Sequence, residues 1–576
     1  MHTLWTSLVA IGLASANVHD QHDPPRLDNA NHIFNAIHSS MRQWGSSLNH
    51  NGMSLFIATV PEGTELYHGT SKADRINGTQ WLAFEPEHAL VFARSRREPP
   101  GRGGPPGGPP RPEQELYDGK DRHPPGRAED RSKFISFGHG EPGTEIKARR
   151  PHEASHDDRP LTHTAAQRER ARMPQQKPLF SPEVESESED EDHGYLHTYK
   201  PKHDLRLLYI DGQSAAKSSK GTLDTQDILL LHDYPPPKDD GDHRQPKNKD
   251  DKRKGPRSGG PMNEAWRAEK LCEMAERKWR GGVNGFLRME LGFEIILCSF
   301  ERDLDVERIT EADDGGMGGP PGHGDDGGSI NYYRAVASRF DSIGGDRVKV
   351  NYDRFISLFA SHEAITFDED GFPRAVNDSD LLRSTQNDVK EMILHDDPKE
   401  LIDWQAVADM VIARYSDRVE YLASGDLETM ESFQAEVNRA LRPFIDYSDR
   451  NHTTEIRRCA RQYIPYHNDT DSLAAKAITN VTATLCASLS AAAASDDHAE
   501  AMAYIRNLKA WLAWTSWKKC RGCGYNEVCF VPIWPMGGKE EYEKPRCISN
   551  MSETSRGYWG DFGGPGRPHK NGSRRD

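Results

Sequence analysis

The sequence predicts an α+β protein: a mixed N-terminal domain interrupted by long insertions, then an irregular helical domain and a small cysteine-rich module. Three observations carry this reading. Between residues 29 and 300, short apolar runs of strand length alternate with helix signals; from Tyr332 onward the apolar period is helical; stretches rich in Gly, Pro and charge separate these pieces. The 576 residues include 35% hydrophobic side chains, 49 Gly and 37 Pro, which suits folded parts diluted by segments that cannot bury enough apolar surface to order themselves. The boundaries read from these shifts are a leader over 1–16, an α+β domain over 17–310 with disordered insertions at 95–193 and 235–261, and a Gly/Asp-rich linker at 311–329. The helical domain then spans 330–517, the cysteine-rich module 518–550 and a disordered tail 551–576.

The elements follow in order. Ile33, Ile37, Met41 and Trp44 recur at helical spacing and predict one helix over 29–44, stopped by Gly45. Strand-length runs come next: Ser54–Val60, Glu65–His68 and Trp81–Phe84, the last leading through Pro86 into a helix over Glu87–Arg94. The insertion from Ser95 closes on the acidic run Glu183–Asp192, which has no spaced cage of oxygen ligands and reads as a solvated linker. Asp204–Ile210 has a buried-strand pattern. Asn263 opens a helix with Ala268, Cys272, Ala275 and Trp279 on one stripe, and Phe286–Met289 and Phe293–Phe300 read as strands. From Tyr332, the runs YYRAVASRF, YDRFISLFA, DLLRSTQNDVKEMIL and their successors are expected to be helices.

The first residues and the cysteines point to one compartment. Leu4–Leu13 is a short apolar stretch ended by the small residues Ala14-Ser15-Ala16, the shape of a secretory leader cut after Ala16. Eight cysteines then read as disulfides. Cys272 faces the core side of its helix and Cys298 ends a strand, so a bridge between them would staple helix to sheet; Cys459 and Cys486 form a second natural pair. Cys520, Cys523, Cys529 and Cys547 have a zinc-like first spacing, but an oxidising route favours two disulfides. Asn77, Asn377, Asn451, Asn468, Asn480, Asn550 and Asn571 stand in glycosylation sequons. Localisation is therefore expected to be extracellular. The tail RPHKNGSRRD has no apolar anchor signal, and no segment after the N-terminus approaches ~18 uninterrupted apolar residues. A net charge of −16 argues against a general nucleic-acid binder.

The most informative constellation is Leu66-Tyr67-His68-Gly69-Thr70 at a strand end, then Trp81-Leu82-Ala83-Phe84 running into a helix, then Gly292-Phe293-Glu294 heading an apolar strand. In these segments the N-terminal domain resembles the ADP-ribosyltransferase superfamily. Most of the ordered chain also resembles a family of secreted fungal proteins, without an assigned activity, that share YHGT, WLAFEPEHA, DLRLLYIDG and FEIILC segments. The first resemblance implies NAD as cofactor. His68 and Gly69 would hold its nicotinamide-ribose half, Trp81 or Phe84 would pack on the nicotinamide, and Glu294 would bond the ribose 2′-hydroxyl and stabilise the developing cation. WLAF departs from the superfamily's usual middle motif. His68 and Glu294 stand 226 positions apart, but with both insertions looped out roughly 100 remain, a span one domain accommodates.

Other motifs are incomplete. Ser214-x-x-Lys217 lacks the companion motifs of serine acyl enzymes, and Gly212–Ser218 lacks the glycine a phosphate loop needs before its lysine. Two functional expectations follow. One is an NAD-using transferase or an inactive relative, centred on His68 and Glu294. The other is a non-enzymatic extracellular or cell-wall-associated interaction protein.

Overall fold

The structure is a computed structural model that describes residues 27–49, 52–93, 193–234, 263–312, 326–337, 343, 346–395, 402–464, 471–550, 554–555 and 557–560. The expected leader, nearly all of both insertions, the acidic run, and the sequons at Asn468 and Asn571 lie outside these residues.

The chain begins with helices α1 (Ala30–Ser39) and α2 (Gln43–Leu48). Strands β1 (Ser54–Val60), β2 (Leu66–Thr70) and β3 (Gln80–Ala83) follow, then the short helix α3 (Pro86–Leu90). After the insertion come β4 (Gly194–Pro201), β5 (Leu205–Ile210), a π-helical turn at Thr225–Leu230 and helix α4 (Glu264–Arg277). Strands β6 (Gly285–Met289), β7 (Phe293–Leu297) and β8 (Leu304–Ala312), helix α5 (Asp326–Ala337) and strand β9 (Lys349–Ser357) complete the α+β part.

These strands form one nine-stranded sheet in the order β8-β4-β2-β3-β7-β6-β5-β1-β9. Every neighbouring pair is antiparallel except β5 and β6. A parallel pair needs a long crossover, which the π-turn and α4 supply. The Cys272–Cys298 disulfide ties that crossover helix to the end of β7, as the sequence suggested.

Two elements depart from expectation. The predicted helix over 29–44 breaks at Ser40–Arg42, where Met41 takes φ 53°. The break is held by long-range bonds: the Met41 amide donates to the Tyr209 hydroxyl at 3.0 Å, and the Ser40 and Tyr352 hydroxyls lie 2.7 Å apart. Gly45 does not stop a helix. It lies inside α2, where a methyl group would overlap Ser39.

YDRFIS, expected to be helical, is instead part of edge strand β9. Its register against β1 jumps from Leu55↔Ile356 to Ile57↔Asn351, so extra residues bulge out of β9. The bulge breaks the two-residue period and leaves Tyr352 and Phe355 at a spacing that mimics a helix. Both rings pack on Phe56, at centroid distances of 5.8 and 4.7 Å.

The remaining helices are α6 (Ser379–Leu394), α7 (Trp404–Ser424), α8 (Met430–Leu441), α9 (His452–Arg461), α10 (Leu473–Ala494) and α11 (His498–Leu512). Asp378, Asp403, Thr429, Asn451, Ser472 and Asp497 cap them in turn, each side chain accepting from an N–H of the first turn that would otherwise be unpaired. Ala-rich α10 packs against α1, α8, α9, α11 and β9, and Cys459–Cys486 joins it to α9. Among the described residues α10 alone is long and apolar enough to cross a membrane; Ile478, Val481, Leu485 and Leu489 on it are buried in the protein core. That core is continuous from the sheet into the helices.

At the C-terminal end, the hairpin of β10 (Val528–Phe530) and β11 (Arg546–Ile548) is pinned by Cys520–Cys529 and Cys523–Cys547. No cysteine is free. These four sulfurs are thus disulfides, and the zinc alternative falls. Replacing both Cys272 and Cys298 by Ala opens a 26-residue loop, and the denaturant midpoint should report a loss of about 3 kcal/mol.

Candidate functional site

The expected site residues sit on β2, β3 and β7, whose registers set where each one points. Tyr67 pairs with Ala83, Ala83 with Glu294, and Glu294 with Arg288, so these four share one face of the sheet. Trp81, half-buried and paired with Ile296, lies on that same face. Gly69 does too, and a methyl group there would overlap the Ala89 carbonyl oxygen of α3. This close approach is what requires glycine after His68.

His68, one residue from Tyr67, turns the other way. Its Nδ1–H donates to the Trp81 carbonyl at 2.7 Å, and its ring meets Phe300 and His197 edge-on at 5.7 and 6.2 Å. Burial pushes its pKa down to about 4, so it is neutral at ordinary pH. Phe84 is fully buried, with the Arg347 guanidinium 5.5 Å over its ring. The register therefore points His68 and Glu294 to opposite faces of the sheet rather than side by side. The cause is the strand period of two: sequence spacing implied neighbours, but an odd offset from the paired residue sends the imidazole to the opposite face.

Glu294 belongs instead to a buried charge cluster. Arg288, in the middle of β6, is fully buried; its Nη2 lies 2.7 Å from Glu294 Oε1 and contacts Glu264, and its Nη1 donates to Gln226 Oε1 at 2.9 Å. Arg267 pairs with Asp227 at 2.7 Å and Glu264 at 2.8 Å. Lys217 reaches Glu290 at 2.8 Å and Glu264 at 3.8 Å, under the Trp534 ring at 5.1 Å. On its other side, the His88 Nδ1 and Tyr332 hydroxyl lie 2.7 Å apart. Crossover, hairpin and post-β5 loop thus converge on one guanidinium.

Four carboxylates here, Asp227, Glu264, Glu290 and Glu294, face three cations, Lys217, Arg267 and Arg288. Their protonation behaviour diverges. Glu264 would be raised by burial, but the charges of Arg288, Lys217 and Arg267 override this and hold it at about 2. Burial pushes Glu290 up to about 7; Lys217 opposes the rise, while Glu294 and Glu264 reinforce it. Glu290 is therefore the group that can take or give a proton near neutrality. Ser214 is not an activated nucleophile, since its hydroxyl donates to the Ile210 carbonyl at 2.7 Å.

Sequence reasoning missed Arg288, Glu264, Glu290, Lys217, His88 and Tyr332 as a group. One signal was present: an arginine inside the otherwise apolar strand GFLRM, four positions before GFEIIL.

Residues 13–313 match the family described as the YPL277C N-terminal domain. Over 293 residues, 49% of this chain, it is 28% identical to the uncharacterized protein YOR389W of Saccharomyces cerevisiae (strain ATCC 204508 / S288c). Over 291 residues, also 49%, it is 29% identical to the uncharacterized protein YPL277C of the same strain. The chain spans 33% and 43% of those relatives' lengths. No solved structure matches.

Two measurements test the cluster. Glu294→Ala leaves Arg288 short of one counter-charge in the interior and should cost about 3 kcal/mol, most of it regained by Arg288→Met with Glu294→Leu. Stability against pH should show two opposed slopes. Glu264, held below its ordinary 4.5, contributes above that value and is lost as pH falls towards 2; Glu264→Gln removes this acid slope. Glu290, held above 4.5, contributes below that value and is lost as pH rises through about 7; Glu290→Gln flattens this second slope.

Proposed function

The chain belongs to the YPL277C N-terminal domain family, and we propose that it leaves the cytosol and works as a disulfide-linked extracellular or wall-associated interaction protein. The observation that carries this reading is that all eight cysteines are joined in four disulfides. Such a set persists where thiols are not kept reduced. The apolar run before Ala16 supplies the route.

Binding is favoured over group transfer by the placement of the two groups on which a transferase would depend. The imidazole and the carboxylate face opposite ways, and Glu294 is engaged by the buried Arg288. Exposed sequons fit the same route. Asn77, Asn377 and Asn451 are exposed, and Asn451 caps α9 through its oxygen, leaving its nitrogen outward for a glycan. Asn550 is half-buried. Asn480 is a poor acceptor: within α10 its oxygen accepts from the Leu27 amide at 3.3 Å and its nitrogen donates to the Lys476 carbonyl at 2.8 Å.

Expression of the whole chain in yeast tests this. The protein is expected in the medium, beginning at Asn17, without reactive thiols before reduction, and losing mass on glycosidase treatment. Retention in the cytosol with titratable thiols would overturn the reading.

A further inference from the structure

A cavity of about 520 Å³ lies between α2, the C-terminal half of α11 and the segment that follows it, far in sequence from the charge cluster. Its walls include Trp514, Trp517 and Tyr542, and its cations are Arg506, Lys509 and Lys518; among the described residues no carboxylate lines it. In a chain of net charge −16 this is a local reversal of sign.

The cations are unequally matched. Lys509 pairs with Glu420 at 3.5 Å. Arg506 donates its Nε–H to the Ala423 carbonyl at 3.3 Å and makes no ion pair among the described residues. Lys518 makes none either; its ammonium sits 3.7 Å over the Tyr542 ring, and burial pushes its pKa down to about 8. Two positive charges thus border one cavity without a direct ion-pair partner among the described residues, Lys518 feeling only the longer-range pull of Glu543.

The aromatic side is equally specific. Trp514 and Trp517 stack at 5.2 Å. Trp517 spends its Nε1–H on the Ser416 carbonyl at 3.0 Å, whereas the buried Nε1–H of Trp514 has no partner among the described residues. The last carbonyls of α11, which would repel an anion, are quenched: Asn31 and Asn35 donate to those of Trp511 and Leu512 at 2.7 and 2.9 Å.

We propose that this cavity binds a phosphate monoester of a ring compound, the dianion between Arg506 and Lys518 and the ring against the half-buried side chains of Trp517 and Tyr542. A phosphate ester carries close to two negative charges at neutral pH, which matches the two unpaired cations better than a carboxylate does. Partly exposed aromatic side chains take a sugar or a base alike. The volume is within the range of small-molecule sites. This site goes beyond the proposed export and does not depend on it.

The test is calorimetric titration of the whole, disulfide-intact protein with glucose 6-phosphate, adenosine 5′-monophosphate, glucuronate, inorganic phosphate, glucose and adenosine. At least one ester should bind ten-fold or more tightly than inorganic phosphate, glucuronate and its own neutral parent; which ester does so assigns sugar or base. Arg506→Gln and Lys518→Gln should each weaken that ester at least ten-fold with the thermal midpoint unchanged. Esters binding no better than phosphate, glucuronate binding as well, or unaltered binding in both variants would overturn the proposal. Should Lys518→Gln unfold the chain, Arg506→Gln alone, at an exposed position on α11, decides it.

Discussion

A guanidinium buried in the middle of a strand constrains everything around it. Arg288 has no exposed surface, so its charge must be met from within. Glu294 meets it from β7, Glu264 from the crossover helix and Gln226 from the π-turn. A slip of one residue between β6 and β7 would turn Glu294 to the other face and leave the cation bare. The same anchor positions the only parallel connection in the sheet, because the helix that makes it carries Glu264 as its first residue. Register, crossover and loop placement are thus consequences of one charge that cannot reach water.

How far the sequence foretold this differs from element to element, for physical reasons. Ser54–Val60 is the strand that its apolar run predicted, and helix α4 with its staple to Cys298 follows from a stripe and a spacing that are local properties. Strand β8 was not legible, since it is an edge whose residues are largely exposed and charged, without an apolar period. Strand β9 was misread because its bulge imitates a helix. The orientation of His68 depends on pairing with β3, and the membership of Glu294 in the cluster depends on pairing with β6; neither register is written in the strands that carry them. Local pattern named the pieces, while non-local pairing decided their neighbours.

The division of labour between covalent and non-covalent ties is also informative. Each disulfide closes a short loop, the longest separation being 27 residues. Long-range order rests instead on burial and on single polar bonds: the Tyr333 hydroxyl, for instance, both donates to and accepts from the backbone of Val531. The bridges therefore stiffen individual supersecondary units, and the apolar core assembles those units.

One such long-range contact has a temporal meaning. Asn31 and Asn35 close on carbonyls 480 and 477 residues later, at the end of α11. At a synthesis rate of about 5–20 residues per second, the first described helix waits roughly 25–100 s before its partners exist. The nascent protein must be shepherded through that interval with an apolar helix unsheltered, so its maturation belongs to the stage after the ribosome has finished with most of the chain.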